Sequence, residues 1–285
     1  MTDLYLDTKN NNNMKLGVSY NVFDGEELLE KSILCIRKKV DFICIVYQSV
    51  SNYGEERDVL RPFLADLKHR GIVDSVFHYT PTESGSRLVG EQNEIKKRNI
   101  GMQICRGNDC THHISMDCDE MYDEQEFENA KNFVSENNID TSYVSYINYY
   151  KKPTLVLTNE RNGIYGYVSF IVKIDTRFYG YGESAVLVDP TRRVEPSTYH
   201  IFNRDEITMH HYSYIRKDED SLRRKLNNTS YRQHHLMIDS IDDIVDCYLN
   251  HKEVEDVLLP FPTGYQVWKL KLVEDKLNIL KDDKK

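Results

Sequence analysis

The chain has 285 residues, 40% hydrophobic and 29% charged, which is ordinary for a globular protein and enough for one large domain. Its 37 basic and 46 acidic residues give a formal charge of −9, which does not favour a nucleic-acid backbone as the main partner, although local basic clusters exist. The six cysteines form no CxxC pair, which argues against a disulfide scaffold, and no apolar stretch approaches the ~20 residues that span a bilayer.

Residues 1–13 are polar, carry Asn10 to Asn13, and read as a flexible tail rather than a signal or transit peptide. Lys15 to Tyr20 reads as a strand, and Gly25 to Lys38 as a helix with Leu28, Leu29, Ser32, Ile33 and Ile36 on one face. Val40 to Tyr47 is a mostly apolar run that fits a buried parallel strand. Glu55 to His69 reads as a helix kinked at Pro62 and closed by Arg70-Gly71. Ser75 to Tyr79 is a third strand, Glu91 to Arg106 a third helix, Thr111 to Met116 a fourth strand, and Asp123 to Glu136 an amphipathic helix.

The second half changes character. Ser142 to Tyr150, Thr154 to Leu157, Gly166 to Ile174 and Ser184 to Val188 are β-rich, with Asn162-Gly163 as a turn signal. Asp218 to Asn227 and Ile241 to Asn250 read as helices, and Gly264 to Leu272 as a late strand. The expected fold class is α/β, with a mostly parallel sheet flanked by helices and a β-rich and helical C-terminal elaboration. One domain over 14–285 is expected after the tail, in two halves, 14–138 and 139–285.

Chemistry concentrates at Ile114-Ser115-Met116-Asp117-Cys118-Asp119-Glu120, where the fourth strand ends in closely spaced carboxylates. Ligands of such sheets bind beyond the carboxyl ends of the strands. Two hard oxygen donors at that spacing suit Mn²⁺ or Mg²⁺, and a metal held there could carry a diphosphate as leaving group. Asp117, Asp119 and Glu128 match three positions of a calcium-binding loop, but Met121 and Tyr122 stand where it needs an oxygen donor and glycine. Cys105, Cys110, His112 and His113 lack the spacing of a zinc site.

In this order of elements the chain resembles the GT-A glycosyltransferases, in particular the broad family 2-like group. The resemblance covers roughly residues 15 to 230 and rests on four segments. Leu16-Gly17-Val18-Ser19-Tyr20-Asn21-Val22-Phe23 with Glu26-Glu27-Leu28 is similar to the family's first strand, nucleotide loop and first helix. Lys96-Lys97-Arg98-Asn99-Ile100-Gly101 is similar to its basic helix, and Asp117-Cys118-Asp119-Glu120 to its DxD metal motif. His210-His211-Tyr212-Ser213-Tyr214-Ile215-Arg216-Lys217 is similar to the late segment that returns a histidine to the metal or the diphosphate. After the second strand, Gln48 and Asn52 stand where the family usually carries a base-reading aspartate.

The resemblance implies a GT-A, Rossmann-like fold and a metal-dependent hexosyltransferase. It would move a sugar from a nucleotide-sugar donor, in particular a UDP-sugar, to a hydroxyl of a glycan or glycoprotein acceptor. Asp117, Asp119, His210 and His211 are then the candidate metal ligands, with Asp119 the direct one and at most one of the two histidines. Tyr20, Asn52, Lys97, Arg98, Asn99, Asp117, Arg216 and Lys217 are candidates for the nucleotide and its phosphates. Glu183 and Asp189 are candidate general bases, with Glu195, Asp205 and Glu206 behind them. Arg223-Arg224-Lys225 is expected on the surface. A cytoplasmic location is expected, and the small polar-tailed form resembles stand-alone enzymes encoded by phages and large DNA viruses. Two alternatives are a sugar-phosphate nucleotidyltransferase and a catalytically silent carbohydrate-binding protein. Val18 to Gly25 lacks the Gly-rich basic signature of the first, and intact Asp117 and Asp119 speak against the second.

Overall fold

The computed structural model describes residues 14–81, 87–158, 166–179, 186–228, 241–251, 257–261 and 264–279. Its first part is β1 (Leu16–Val22), α1 (Glu26–Ile36), β2 (Phe42–Tyr47), α2 (Leu60–His69), β3 (Ser75–His78), α3 (Arg87–Gly107) and β4 (His112–Asp117). Next come β5 (Glu120–Met121), α4 (Glu124–Glu136), β6 (Thr141–Tyr150), β7 (Lys152–Thr158) and β8 (Tyr167–Lys173). The last part holds β9 (Tyr199–Ile201), β10 (Met209–Tyr214), α5 (Glu219–Asn228), α6 (Ile241–Asn250), β11 (Val257–Phe261) and β12 (Gly264–Leu272).

The protein is α/β, with a mostly parallel central sheet flanked by helices, as the sequence leads one to expect. Strands run in the order β11-β12-β7-β6-β8-β4-β1-β2-β3. β3, β2, β1 and β4 are mutually parallel, and β8 enters antiparallel between β4 and β6. β6 is long enough to serve two neighbourhoods. Its first half pairs with β8 and β9, and its second half with β7 and β10.

β1 is buried on both faces, and its alternation decides what each face meets. Leu16, Val18, Tyr20 and Val22 join Leu29 and Ile33 of α1 and Phe127 and Val134 of α4 in the main core. Gly17, Ser19 and Asn21 form the other face, against α3. A side chain at Gly17 would strike the thiols of Cys105 and Cys110, and one at Gly101 would strike Ser19, so α3 lies almost on the strand backbone. A second core, with Leu222 and Leu226 of α5, Ile244 and Val245 of α6, and Tyr150 and Leu157, seats the C-terminal helices on the sheet extension.

Two expectations are corrected. The second helix starts at Leu60 rather than Glu55, and Pro62 makes no kink, because it falls in the first turn where its missing N–H has no intrahelical partner to lose. No strand forms over the described part of Ser184 to Val188, where Val188 makes only an isolated bridge to Tyr167. The Asn162-Gly163 turn lies outside the described residues. β5, β9 and β11 are strands the sequence does not lead one to expect, and β10 extends beyond the strand pair that His210-His211 suggests. β5 and β9 are too short to show a period, and Met-His-His-Tyr-Ser-Tyr of β10 has no clean alternation.

Candidate active site

β4 ends at Asp117, opposite Asn21 of β1. The chain turns through Cys118 and Asp119 and re-forms as β5, antiparallel to His210 and His211 of β10. Tyr212 N–H also donates to the Asp119 carbonyl (2.8 Å). The acidic turn is therefore shaped by backbone from the second half of the chain, at the sheet end where α/β proteins bind ligands.

Two guanidinium groups meet on the Asp117 side. Asp117 Oδ2 accepts from Arg98 Nη2 (3.2 Å) and Arg192 Nη2 (2.7 Å). Burial alone would raise this carboxyl, but Arg98 and Arg192 hold it down at about 2. Arg192 also grips Glu120 with both arms and donates to the Ser115 carbonyl (3.2 Å). Arg98 completes its set through Ser115 Oγ (2.9 Å) and Thr191 Oγ1 (3.2 Å). Asp189 caps the 3-10 turn Pro190–Arg192, accepting from Thr191 N (2.8 Å) and Thr191 Oγ1 (2.9 Å) and lying 3.4 Å from Arg192 Nε.

On the Asp119 side the carboxylate is 9% exposed and surrounded by basic side chains. Arg216 Nη2 donates to Oδ2 at 2.9 Å, Lys225 Nζ stands 3.7 Å from the same oxygen, and His211 Nε2 lies 3.6 Å from Oδ1. Burial opposes ionisation, yet Lys225, His211 and Arg216 hold the carboxyl well below the usual range. Lys225 is pushed below the ordinary lysine range by burial and by Arg216. Arg216 also faces Glu27 and Asp24, and Asp24 is gripped by Arg57 and by Arg224 (2.9 Å). Gly25, at φ +85°, turns the chain here; a side chain would press on Cys118 and Arg216.

His211 Nδ1 lies 2.7 Å from Asn148 Oδ1, a contact that orients the ring with its Nε2 toward Asp119 Oδ1. An imidazole and a carboxylate facing each other, with the far ring nitrogen held by an amide, form a donor pair that fits a divalent cation. Asp117, with two guanidinium groups on Oδ2, is the poorer donor. Among the described residues no three His, Cys, Asp or Glu side chains converge as a complete metal site. A cation there would take its remaining ligands from phosphate and water, as Mg²⁺ commonly does.

A third group lies at the carboxyl ends of β1 and β2, under the first turns of α3. Asn52 Oδ1 accepts from Gln48 Nε2 (3.3 Å) and Asn93 Nδ2 (3.2 Å), and Asn93 Oδ1 accepts from Tyr79 Oη (2.7 Å). Gln48 Oε1 and both polar atoms of Asn21 are buried without a hydrogen-bond partner among the described residues. Such orphans are costly unless a ligand or water satisfies them. Beside them on α3, burial raises Glu94 to about 7 and lowers Lys97.

Several sequence candidates fall elsewhere. Tyr20 is 0% exposed in the main core, with Ser32 donating to its hydroxyl (3.1 Å), so it offers no face to a base. Asn99 brackets the Phe178 backbone through both ends of its amide (2.9 Å each). His210 is turned to the other side of β10, its Nδ1 on Tyr149 Oη (2.7 Å) and its ring stacked on Tyr149 and Tyr212. Lys217 is exposed, and Glu206 closes its own loop onto Asn203 N (2.7 Å). Glu183 lies outside the described residues. The expectation that Lys225 is a surface residue is corrected: α5 buries Leu222 and Leu226, and Lys225, next to both on the wheel, turns with them toward Asp119. Helical period carried that signal. Glu120 and Arg192 had no comparable signal.

No known family model matches the chain, and no curated protein matches it in sequence. Solved structures do. TarS 1–349 of S. aureus aligns at 14% identity over 83% of this chain and 71% of that one, with a TM-score of 0.43. The same protein in complex with UDP-GlcNAc aligns at 13% identity over 83% and 72%, with a TM-score of 0.46. Mannose-1-phosphate geranyltransferase from Thermus thermophilus aligns at 12% identity over 56% and 50%, with a TM-score of 0.29. At such scores none of these likenesses assigns a role to a residue.

Proposed function

We propose that this protein is a glycosyltransferase that moves a sugar from a nucleotide-sugar donor, a UDP-sugar, to a hydroxyl on a glycan or protein. The observation that carries this reading is the setting of Asp119: a buried, ionised carboxylate at the end of β4, with Arg216, Lys225 and His211 converging on it. Two cations and an imidazole around a single carboxylate, at the ligand-binding end of a parallel sheet, suit an incoming diphosphate.

The chain's residues divide the work by position. Asn21, Gln48 and Asn52 face the base, because a carboxamide presents a donor and an acceptor side by side, the complement of the imide edge of uracil. Asp117, fixed by Arg98 and Arg192, would accept hydrogen bonds from the ribose hydroxyls. Asp119 and His211 would hold Mn²⁺ or Mg²⁺, which when bound offsets charge on the diphosphate. Arg216 orients the phosphates through its planar fork. Tyr146 lies edge-on to His211 at 6.1 Å, and the charge of Asp189 acts on its hydroxyl. Asp189 would be the carboxylate that receives the acceptor proton if the anomeric centre inverts.

The test is a thermal-shift and calorimetry screen of nucleoside diphosphates and UDP-sugars, with and without Mn²⁺, followed by release of UDP from UDP-sugars. Mn²⁺-dependent binding and UDP release support the reading. Binding of a sugar 1-phosphate with a nucleoside triphosphate, and diphosphate release, would favour a nucleotidyltransferase instead.

A further inference from the structure

Asp119 Oδ2 is approached by two full positive charges, but only one bonds to it. Arg216 Nη2 donates at 2.9 Å, whereas Lys225 Nζ stands at 3.7 Å, an ion-pair distance beyond hydrogen-bond reach. Arg216 itself is 3% exposed, and its Nη1 faces Glu27 Oε1 (3.6 Å) and Asp24 Oδ2 (4.0 Å). Lys225 keeps 23% of its side chain open, and its ammonium sits 5.9 Å from the ring of Tyr214. An ammonium held beside a carboxylate oxygen but not hydrogen-bonded to it marks the place of a second anion.

Lys225 does not reach this point by flexibility. α5 is seated by Leu222 and Leu226, by Arg224 on Asp24 (2.9 Å), and by Asn228 on Glu55 (2.6 Å). These contacts join the helix to the loops that follow β1 and β2. The helix is therefore docked on the nucleotide side of the fold and presents its lysine to the acidic turn.

We propose that Lys225 is a catalytic residue that binds the departing diphosphate, an inference that rests on the glycosyltransferase reading. In the transfer, the bond between the anomeric carbon and the diphosphate oxygen breaks, and its electron pair stays on that oxygen. The acceptor oxygen bonds to the anomeric carbon and gives its proton to a carboxylate. Lys225 keeps its own proton throughout and meets, with Arg216, the charge that grows on the leaving group.

The test uses the full chain with Mn²⁺ and compares binding of UDP, GDP, CDP and ADP with the matching monophosphates. Wild type, Lys225→Met, Lys225→Gln, Lys225→Arg and the control Arg223→Ala are measured by calorimetry and by UDP release from UDP-sugars. Arg223 pairs outward with Glu219 and Asp242, so its removal is expected to change neither readout. Lys225→Met is expected to lose about tenfold or more in diphosphate affinity, to hold monophosphate affinity within about twofold, and to lower kcat more than it raises KM. Lys225→Arg is expected to recover most of the loss. Lys225→Gln makes the same comparison if the methionine variant folds poorly. Equal diphosphate affinity in wild type and the neutral variants overturns the role of Lys225 and leaves the glycosyltransferase reading standing. Wild type that binds no nucleoside diphosphate overturns both.

Discussion

Arg192 and Glu120 form a two-armed ion pair, 2% and 3% exposed, directly beneath the acidic turn. The same guanidinium reaches Asp117 Oδ2 at 2.7 Å. The segment that carries Asp189 is thereby locked to the end of β4, so Asp189 and Asp117 share one charge network.

Breaking that pair from one side takes from the buried Arg192 the carboxylate it grips with both arms, leaving it Asp117 and Asp189. Glu120→Gln is expected to lower stability by about 3–5 kcal/mol, measured by urea unfolding. The double variant Glu120→Gln with Arg192→Met is expected to regain part of that loss, because the buried guanidinium is removed as well. A loss below about 1 kcal/mol in the single variant would contradict a desolvated pair.

Glu94 gives the site a pH dependence. Burial raises it to about 7, with Arg98 and Lys97 opposing and Asp117 and Asp189 adding to the rise. Above that pH the carboxylate is charged and offsets the neighbouring Lys97; below it the group is neutral and the cation is free to attract phosphate. Glu94→Gln is therefore expected to bind UDP roughly three- to tenfold more tightly than wild type at pH 8, with the gap closing by pH 6. Taking the difference between the two proteins removes the titration of UDP itself. A gap that widens on acidification would contradict the assignment.

His113 links fold stability to pH at a point away from the acidic turn. It is fully buried, shares a 2.8 Å hydrogen bond with Ser19 Oγ, and is lowered to about 3 by burial and by Arg98. The unfolded histidine takes up its proton near pH 6.5 and the folded one only near 3, so its contribution is present above pH 6.5 and is lost as pH falls. Between pH 7 and pH 5 the wild type is expected to lose about 2 kcal/mol more than His113→Gln in urea unfolding. Parallel losses in the two proteins would show that His113 titrates normally.

The β1 to β4 half of the fold was legible because its apolar runs alternate with helical periods, and Asp117 and Asp119 stood out by following the fourth strand. Tyr20 was legible too: period 2 places it with Val18 and Val22, inside, and gives Asn21 to the α3 side instead. The two histidines of β10 could not be told apart from sequence, because which of them faces the turn depends on the pairing of β10 with β5. Glu120 with Arg192 and Asp119 with Arg216 lie 72 and 97 residues apart, and no local pattern announces pairs made only by the folded sheet.

The central claim is that Asp119 holds the metal-diphosphate end of a nucleotide-sugar site. Asp119→Asn keeps the shape of the side chain and removes the charge that Arg216, Lys225 and His211 surround. Calorimetric titration of UDP into wild type and Asp119→Asn, with Mn²⁺ and with a chelator, tests the claim most directly. The wild type is expected to bind UDP in a Mn²⁺-dependent manner, and Asp119→Asn to lose that dependence along with UDP release from UDP-sugars. Unchanged Mn²⁺-dependent binding and turnover in Asp119→Asn would contradict it.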